Sequence, residues 1–185
     1  MASTTALNTL LRENIDTLWQ LADFVGTLSP ERYATPHGTD ARHSMGKHVR
    51  HILDHYTALL NWEATTTAAI LDYEQRERDT ALEQNPNSAL AHMRWLIERL
   101  NRLETRDTAM RLVHMRYRVG EKDWPLTSSL ERELTFLTSH AIHHMAIIAL
   151  LADSQGLEMS ATFGVHPSTL RYWQHAQQPI HEVCS

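Results

Sequence analysis

The chain has 185 residues, 42% of them apolar and 21% charged, the balance of a globular domain long enough for its own core rather than of a disordered chain. Lys plus Arg total 17 against 22 for Asp plus Glu, a formal charge of −5, which argues against a general nucleic-acid binder, whose footprint is a basic face. One cysteine, Cys184, excludes an internal disulfide and a cysteine-based zinc cluster.

Only six glycines and six prolines occur, and they separate long periodic stretches. From about residue 7 to 28, Leu7, Leu10, Leu11, Ile15, Leu18, Leu21, Ala22 and Val25 recur at three and four, one face of a helix that Ser29-Pro30 should end. Tyr33 to His43 reads as a loop. Ser44 is the expected N-cap of a second helix carrying His48, Val49, Ile52, Tyr56, Leu59 and Leu60, which can run past Trp62. The charged stretch Asp72 to Gln84 reads as a helical extension or a second short helix. Asn85-Pro86 opens a third helix, marked by Leu90, Met93, Leu96, Ile97, Leu100 and Leu103, to about Glu104.

Met110 to Trp124 changes period and predicts one or two short strands, closed by Gly120 and Pro125. Thr127 or Ser128 is the expected cap of the next helix, with Glu131 at capping-box spacing from Ser128. Leu134, Leu137, Ala141, Met145, Ile148 and Leu151 carry that helix to about Asp153, before Gln155-Gly156. A short last helix is expected over 168–177. The sum is an all-α single domain over 1–185, a helix bundle with a small β-hairpin before the last long helix. The five tryptophans, at 19, 62, 95, 124 and 173, read as core and interface anchors. No apolar run approaches the ~20 residues of a membrane span, and the opening Met-Ala-Ser-Thr-Thr lacks a signal-peptide profile. The expectation is a cytoplasmic protein with no membrane and no nucleic-acid partner.

Thirteen residues are histidine, and two clusters matter. In Ser44-Met45-Gly46-Lys47-His48-Val49-Arg50-His51-Ile52-Leu53-Asp54-His55, the histidines at 48, 51 and 55 fall within about 60° of one another on a helix. In Ser139-His140-Ala141-Ile142-His143-His144, His140 and His144 project side by side, while His143 points away. An i, i+4 histidine pair is half of a first-row metal site, and one histidine from a facing helix completes three nitrogen ligands. Three protein ligands leave coordination positions open, the catalytic pattern rather than the closed structural one. Against this stands the ordinary role of helical histidines as hydrogen-bonded core or surface residues. His140 and His144 share a stripe with Phe136, Ile147 and Leu151, and burying two imidazoles there is costly unless something satisfies them.

At these motifs the chain resembles the DinB/YfiT-like superfamily. The Ser44-Met45-Gly46 lead into His51 matches, as does the His140/His144 pair preceded by Arg132-Glu133-Leu134 and Phe136-Leu137. The segment Phe163-Gly164-Val165-His166-Pro167-Ser168-Thr169 is similar to an ending in one branch. The resemblance runs from about residue 7 to 173. It implies a four-helix up-down-down-up bundle with a long crossover and a divalent metal on His51, His140 and His144. It implies nickel or zinc as that metal, with iron or manganese as alternatives, and a homodimer. It also implies either a thiol-dependent transferase using a low-molecular-weight thiol or a hydrolase. The extra histidines His48, His55 and His143 depart from the pattern.

The leading expectation is a small metalloenzyme that activates a water or a thiol toward an unidentified small-molecule substrate. Its competitor is a non-enzymatic metal-binding stress-response or sensory protein. Glu133 lies about 20° from His140 on the wheel and is the candidate catalytic carboxylate, as a general base or an acceptor behind the ligands. A surface or capping role is the plain alternative. Lys47, Arg50 and Arg132 could meet an anionic substrate or form a solvated face. His166 is a candidate extra ligand, with loop capping as its ordinary role. His37, His43, His92, His114, His175 and His181 are read as surface residues.

Overall fold

A computed structural model describes residues 2–39, 42–64, 69–75, 79–104 and 112–176; His181 and Cys184 lie outside them. The elements are α1 (Ala2–Val25), α2 (Pro30–Ala34), α3 (Met45–Ala64), α4 (Thr80–Gln84), α5 (Pro86–Glu104), β1 (Leu112–Val119), β2 (Lys122–Ser129), α6 (Leu130–Ser154) and α7 (Pro167–Ala176). α1 packs against α5 and α6, and α3 packs against the same two helices. The four long helices therefore form the expected up-down-down-up bundle. The crossover between α3 and α5 includes α4, and the strands pair as an antiparallel hairpin before α6.

Each apolar stripe meets the others at the centre. Leu18 and Leu21 from α1, Ile52 and Leu59 from α3, Met93 and Leu96 from α5, and Leu134 and Met145 from α6 are fully buried. One polar knot crosses this core: the Tyr56 hydroxyl donates to Asn14 Oδ1 at 2.8 Å, and Asn14 Nδ2 donates to the Leu134 carbonyl at 3.1 Å. A buried amide and phenol so paired avoid the cost of lost hydration and fix the relative height of α1, α3 and α6.

Local details depart from expectation for identifiable reasons. Ser29-Pro30 ends α1 but also starts a helix, because the Ser29 side chain accepts from Arg32 N and Pro30 sits in the first turn. The cap of α6 is Ser129, which accepts from Arg32's counterpart in that turn, the Arg132 amide. Thr127 and Ser128 stay in β2, and the Ser128 hydroxyl donates to Glu133 instead of capping. Ser44 does cap α3, accepting from Lys47 N at 3.1 Å.

Gly46 has a clear steric reason. A Cβ there would lie 2.0 Å from the Glu83 carbonyl oxygen and 2.8 Å from the Tyr33 ring. Its absence lets α4 lie directly on α3, where the Tyr33 hydroxyl donates to the Leu82 carbonyl at 2.6 Å. Arg50 belongs to the same junction, bonding Asp54 at 2.8 Å and Glu83 at 3.0 Å, rather than to a solvated face.

Of the tryptophans only Trp62 anchors to the core, half-buried and packed against it, while Trp19, Trp95, Trp124 and Trp173 are exposed. Contrary to the reading of apolar runs, α6 is long and apolar enough to cross a membrane by length and composition. In this fold its buried residues pack on α1 and α3.

Candidate metal centre

The second histidine cluster of the sequence lies on α6 and the first on α3, and these helices pack side by side. His51, His140 and His144 meet there, half-buried, with one ring nitrogen of each within 4.8 Å of the others. Their ring centroids are 4.9 Å apart for His51–His140, 4.4 Å for His51–His144 and 4.6 Å for His140–His144. Three nitrogens on one ion with bonds near 2.0–2.1 Å would stand about 3.0–3.4 Å apart. Small rotamer changes span the difference, so the trio fits a divalent transition metal by donor type and by convergence. His143 is exposed on α6, as its phase requires.

The flanking histidines are part of the same array. His48 is 9% exposed, and its Nδ1 lies 3.0 Å from His144 Nδ1. Burial, followed by the charges of His43 and His143, lowers the His48 pKa to about 4. Burial, followed by His140, His48 and His143, lowers that of His144 to about 3. Both imidazoles are thus neutral at physiological pH, the form a metal ligand requires. His55 is also buried, with Nδ1 2.8 Å from the His51 carbonyl oxygen. A carbonyl can only accept, so His55 Nδ1 carries the proton and Nε2 the lone pair. The His55 ring centroid is 4.1 Å from that of His140.

Glu133 is fully buried, which overturns the surface reading. It accepts hydrogen bonds from the Tyr73 hydroxyl at 2.8 Å, the Ser128 hydroxyl at 2.6 Å and Arg132 Nη1 at 3.1 Å. Tyr73 in turn stacks on His55, with centroids 5.3 Å apart. Burial, then the neighbouring Glu133 charge, raises the Tyr73 pKa above its ordinary value, so its hydroxyl stays protonated and donating. Sequence periodicity missed Tyr73, because it lies in the irregular crossover. Ser128 was visible only as a cap candidate.

The remaining histidines lie outside the converging trio. His166 Nδ1 accepts from the Ser168 amide at the start of α7, its ordinary loop-capping role, and Nε2 faces Ser139. His92 is half-buried and bonds Thr57 at 2.8 Å, so it is not a surface residue. His37 bonds Gln155 at 3.0 Å, and His43 stacks on His48 at 5.6 Å.

The model of the DinB family matches residues 1–165. The chain is also similar to FK506-binding protein 5 of Rhizopus delemar, 29% identical over 112 residues. That alignment covers 59% of this chain and 29% of the relative, so the chain spans well under two thirds of the relative's length. No solved structure matches the chain.

Proposed function

We propose that this chain, which belongs to the DinB family, is a small metal-dependent enzyme, either a hydrolase or a thiol S-transferase using a low-molecular-weight thiol. The observation that carries this reading is the convergence of His51, His140 and His144 from two facing helices. In it, these three imidazoles hold nickel or zinc, with iron or manganese as alternatives. A divalent ion on three nitrogens keeps open positions and lowers the pKa of a bound water or thiol, supplying a nucleophile near neutral pH.

The chain's own groups prepare that chemistry. Burial keeps His48 and His144 unprotonated. The His51 carbonyl orients His55, whose Nε2 is then the atom able to take a proton. Glu133 holds Tyr73 against His55 and anchors β2 through Ser128. Its three donors make it a positioning residue in this proposal, acting through Tyr73, rather than the general base. A small-molecule substrate, a homodimeric state and a cytoplasmic setting belong to the same proposal.

Elemental analysis of protein purified without an affinity tag, followed by a turnover screen with small thiols and with ester and amide substrates, tests it. Stoichiometric metal with turnover is the expected result. Protein that stays metal-free after addition of nickel, zinc, iron and manganese overturns it. Metal uptake without exchangeable water or turnover favours the sensory alternative.

A further inference from the structure

Beside the histidine array, a cavity of about 470 Å³ lies between the crossover, the hairpin and the first turns of α6. Its apolar lining includes Tyr73, Met115, Leu126 and Phe136. Two of these residues are also the wall of the histidine array. Tyr73 stacks on His55, Phe136 stacks on His140 with centroids 5.4 Å apart, and the two rings lie 5.4 Å from each other.

The charges around the cavity are unequal. Arg116 is committed to Asp72, with Nε donating at 2.9 Å, and the exposed Glu74 stands at that side. Arg132 is different. Its guanidinium carbon sits 5.4 Å over the Phe136 ring, and its side chain is 64% exposed. It gives Nη1 to Glu133, and its other donors make no hydrogen bond among the described residues. The cavity therefore offers a stacking surface of aromatic rings with planar cationic donors at one place on it.

We propose that this cavity binds a small aromatic molecule bearing one carboxylate-type anion, its ring against Tyr73 and Phe136 and its anion on Arg132. The volume falls in the range of small-molecule sites and excludes a folded partner. A polyanion such as a nucleoside triphosphate is disfavoured, because the one available guanidinium among the described lining residues already shares a nitrogen with Glu133, and Glu74 faces the same space. Identifying the occupant as the substrate rests on the metalloenzyme reading; the cavity itself does not.

The test uses 2-naphthoate as the probe and 2-naphthalenemethanol as its neutral counterpart, titrated calorimetrically into the full chain. Saturable one-to-one binding of naphthoate is expected. Arg132→Gln, at an exposed position, should weaken naphthoate about tenfold or more but the alcohol by less than about twofold, the loss of one charge-assisted contact. Leu126→Glu, also at an exposed position, should weaken both about tenfold by placing a carboxylate in the apolar lining. The His140→Ala/His144→Ala protein should still bind naphthoate. No saturable binding, or equal affinity in Leu126→Glu, overturns the cavity proposal. Metal uptake without naphthoate binding removes the cavity and leaves the metal site standing. Naphthoate binding without metal uptake does the reverse.

Discussion

His48 and His144 face each other across α3 and α6 with their Nδ1 atoms 3.0 Å apart. Only one of the two can donate. A ligand nitrogen needs its lone pair, and with His144 Nδ1 facing His48, the nitrogen left for an ion is Nε2. An ion held by His144 would therefore require the tautomer in which His144 Nδ1–H donates to His48. The proton of His48 then resides on Nε2, a buried atom with no hydrogen-bond partner among the described residues. That cost is what the ion's attraction for His144 has to offset.

His48→Ala removes the acceptor that orients His144, an effect that should outweigh relief of that cost; it should keep stoichiometric metal at saturating concentration while losing affinity about 10-fold, the usual scale for a group that orients a ligand. His55→Ala should behave alike and alter turnover. His51→Ala should abolish binding. Competition titration against a chromophoric chelator measures all three. Full occupancy in His51→Ala beside a metal-free His48→Ala or His55→Ala would move the site one turn along α3.

On α6, His140→Ala and His144→Ala should each remove most of the metal, and His143→Ala should keep it, because His143 is exposed on another face. Metal content after gel filtration is the readout. Equal losses in all three would contradict the helix phase described above.

Tyr73→Phe deletes one of three donors to a fully buried carboxylate but keeps the stacking on His55. Stability should fall by about 1–3 kcal/mol, with metal affinity changed by less than the loss in His51→Ala. If Glu133 acts only by positioning, Glu133→Gln should lower turnover without removing the acidic limb of the kcat profile, the limb a general base produces because it must be deprotonated to act. Loss of that limb would make Glu133 a base.

Gly46→Ala should be strongly destabilising, by about 2–3 kcal/mol, because the added Cβ meets Glu83 backbone rather than a movable side chain. Urea unfolding followed by circular dichroism decides this. A change below about 0.5 kcal/mol would mean that α4 shifts freely on α3.

His92 is not one of the three converging histidines and reports on pH separately. Burial lowers its pKa, with Asp79 opposing, and it bonds Thr57. The unfolded chain takes up a proton near 6.5 while the folded chain does not. Its contribution to stability is therefore present above about pH 6.5 and is lost as pH falls toward the lower folded pKa. His92→Gln should flatten the pH dependence of stability in that window. An identical slope in the variant would show that His92 titrates alike in both states.

The four long helices, the hairpin, the family and the pairing of two histidine stripes were legible in the sequence, whereas the short α2 was not. Helical phase is a local property: His140 and His144 share a face, and His143 leaves it, whatever the rest of the chain does. Height was not legible. Geometry along α3 left His48, His51 and His55 open, and family resemblance chose His51. The packing of α3 on α6 brings His51 to the His140/His144 pair and places His48 against His144, while His55 bonds a carbonyl of its own helix. Glu133 shows the same division. Its place on the helical wheel was readable, but its burial and its bonds to Tyr73 and Ser128 join residues 60 and 5 positions away. Contacts between segments so separated depend on how the crossover and hairpin settle on the bundle, and only the tertiary structure decides that.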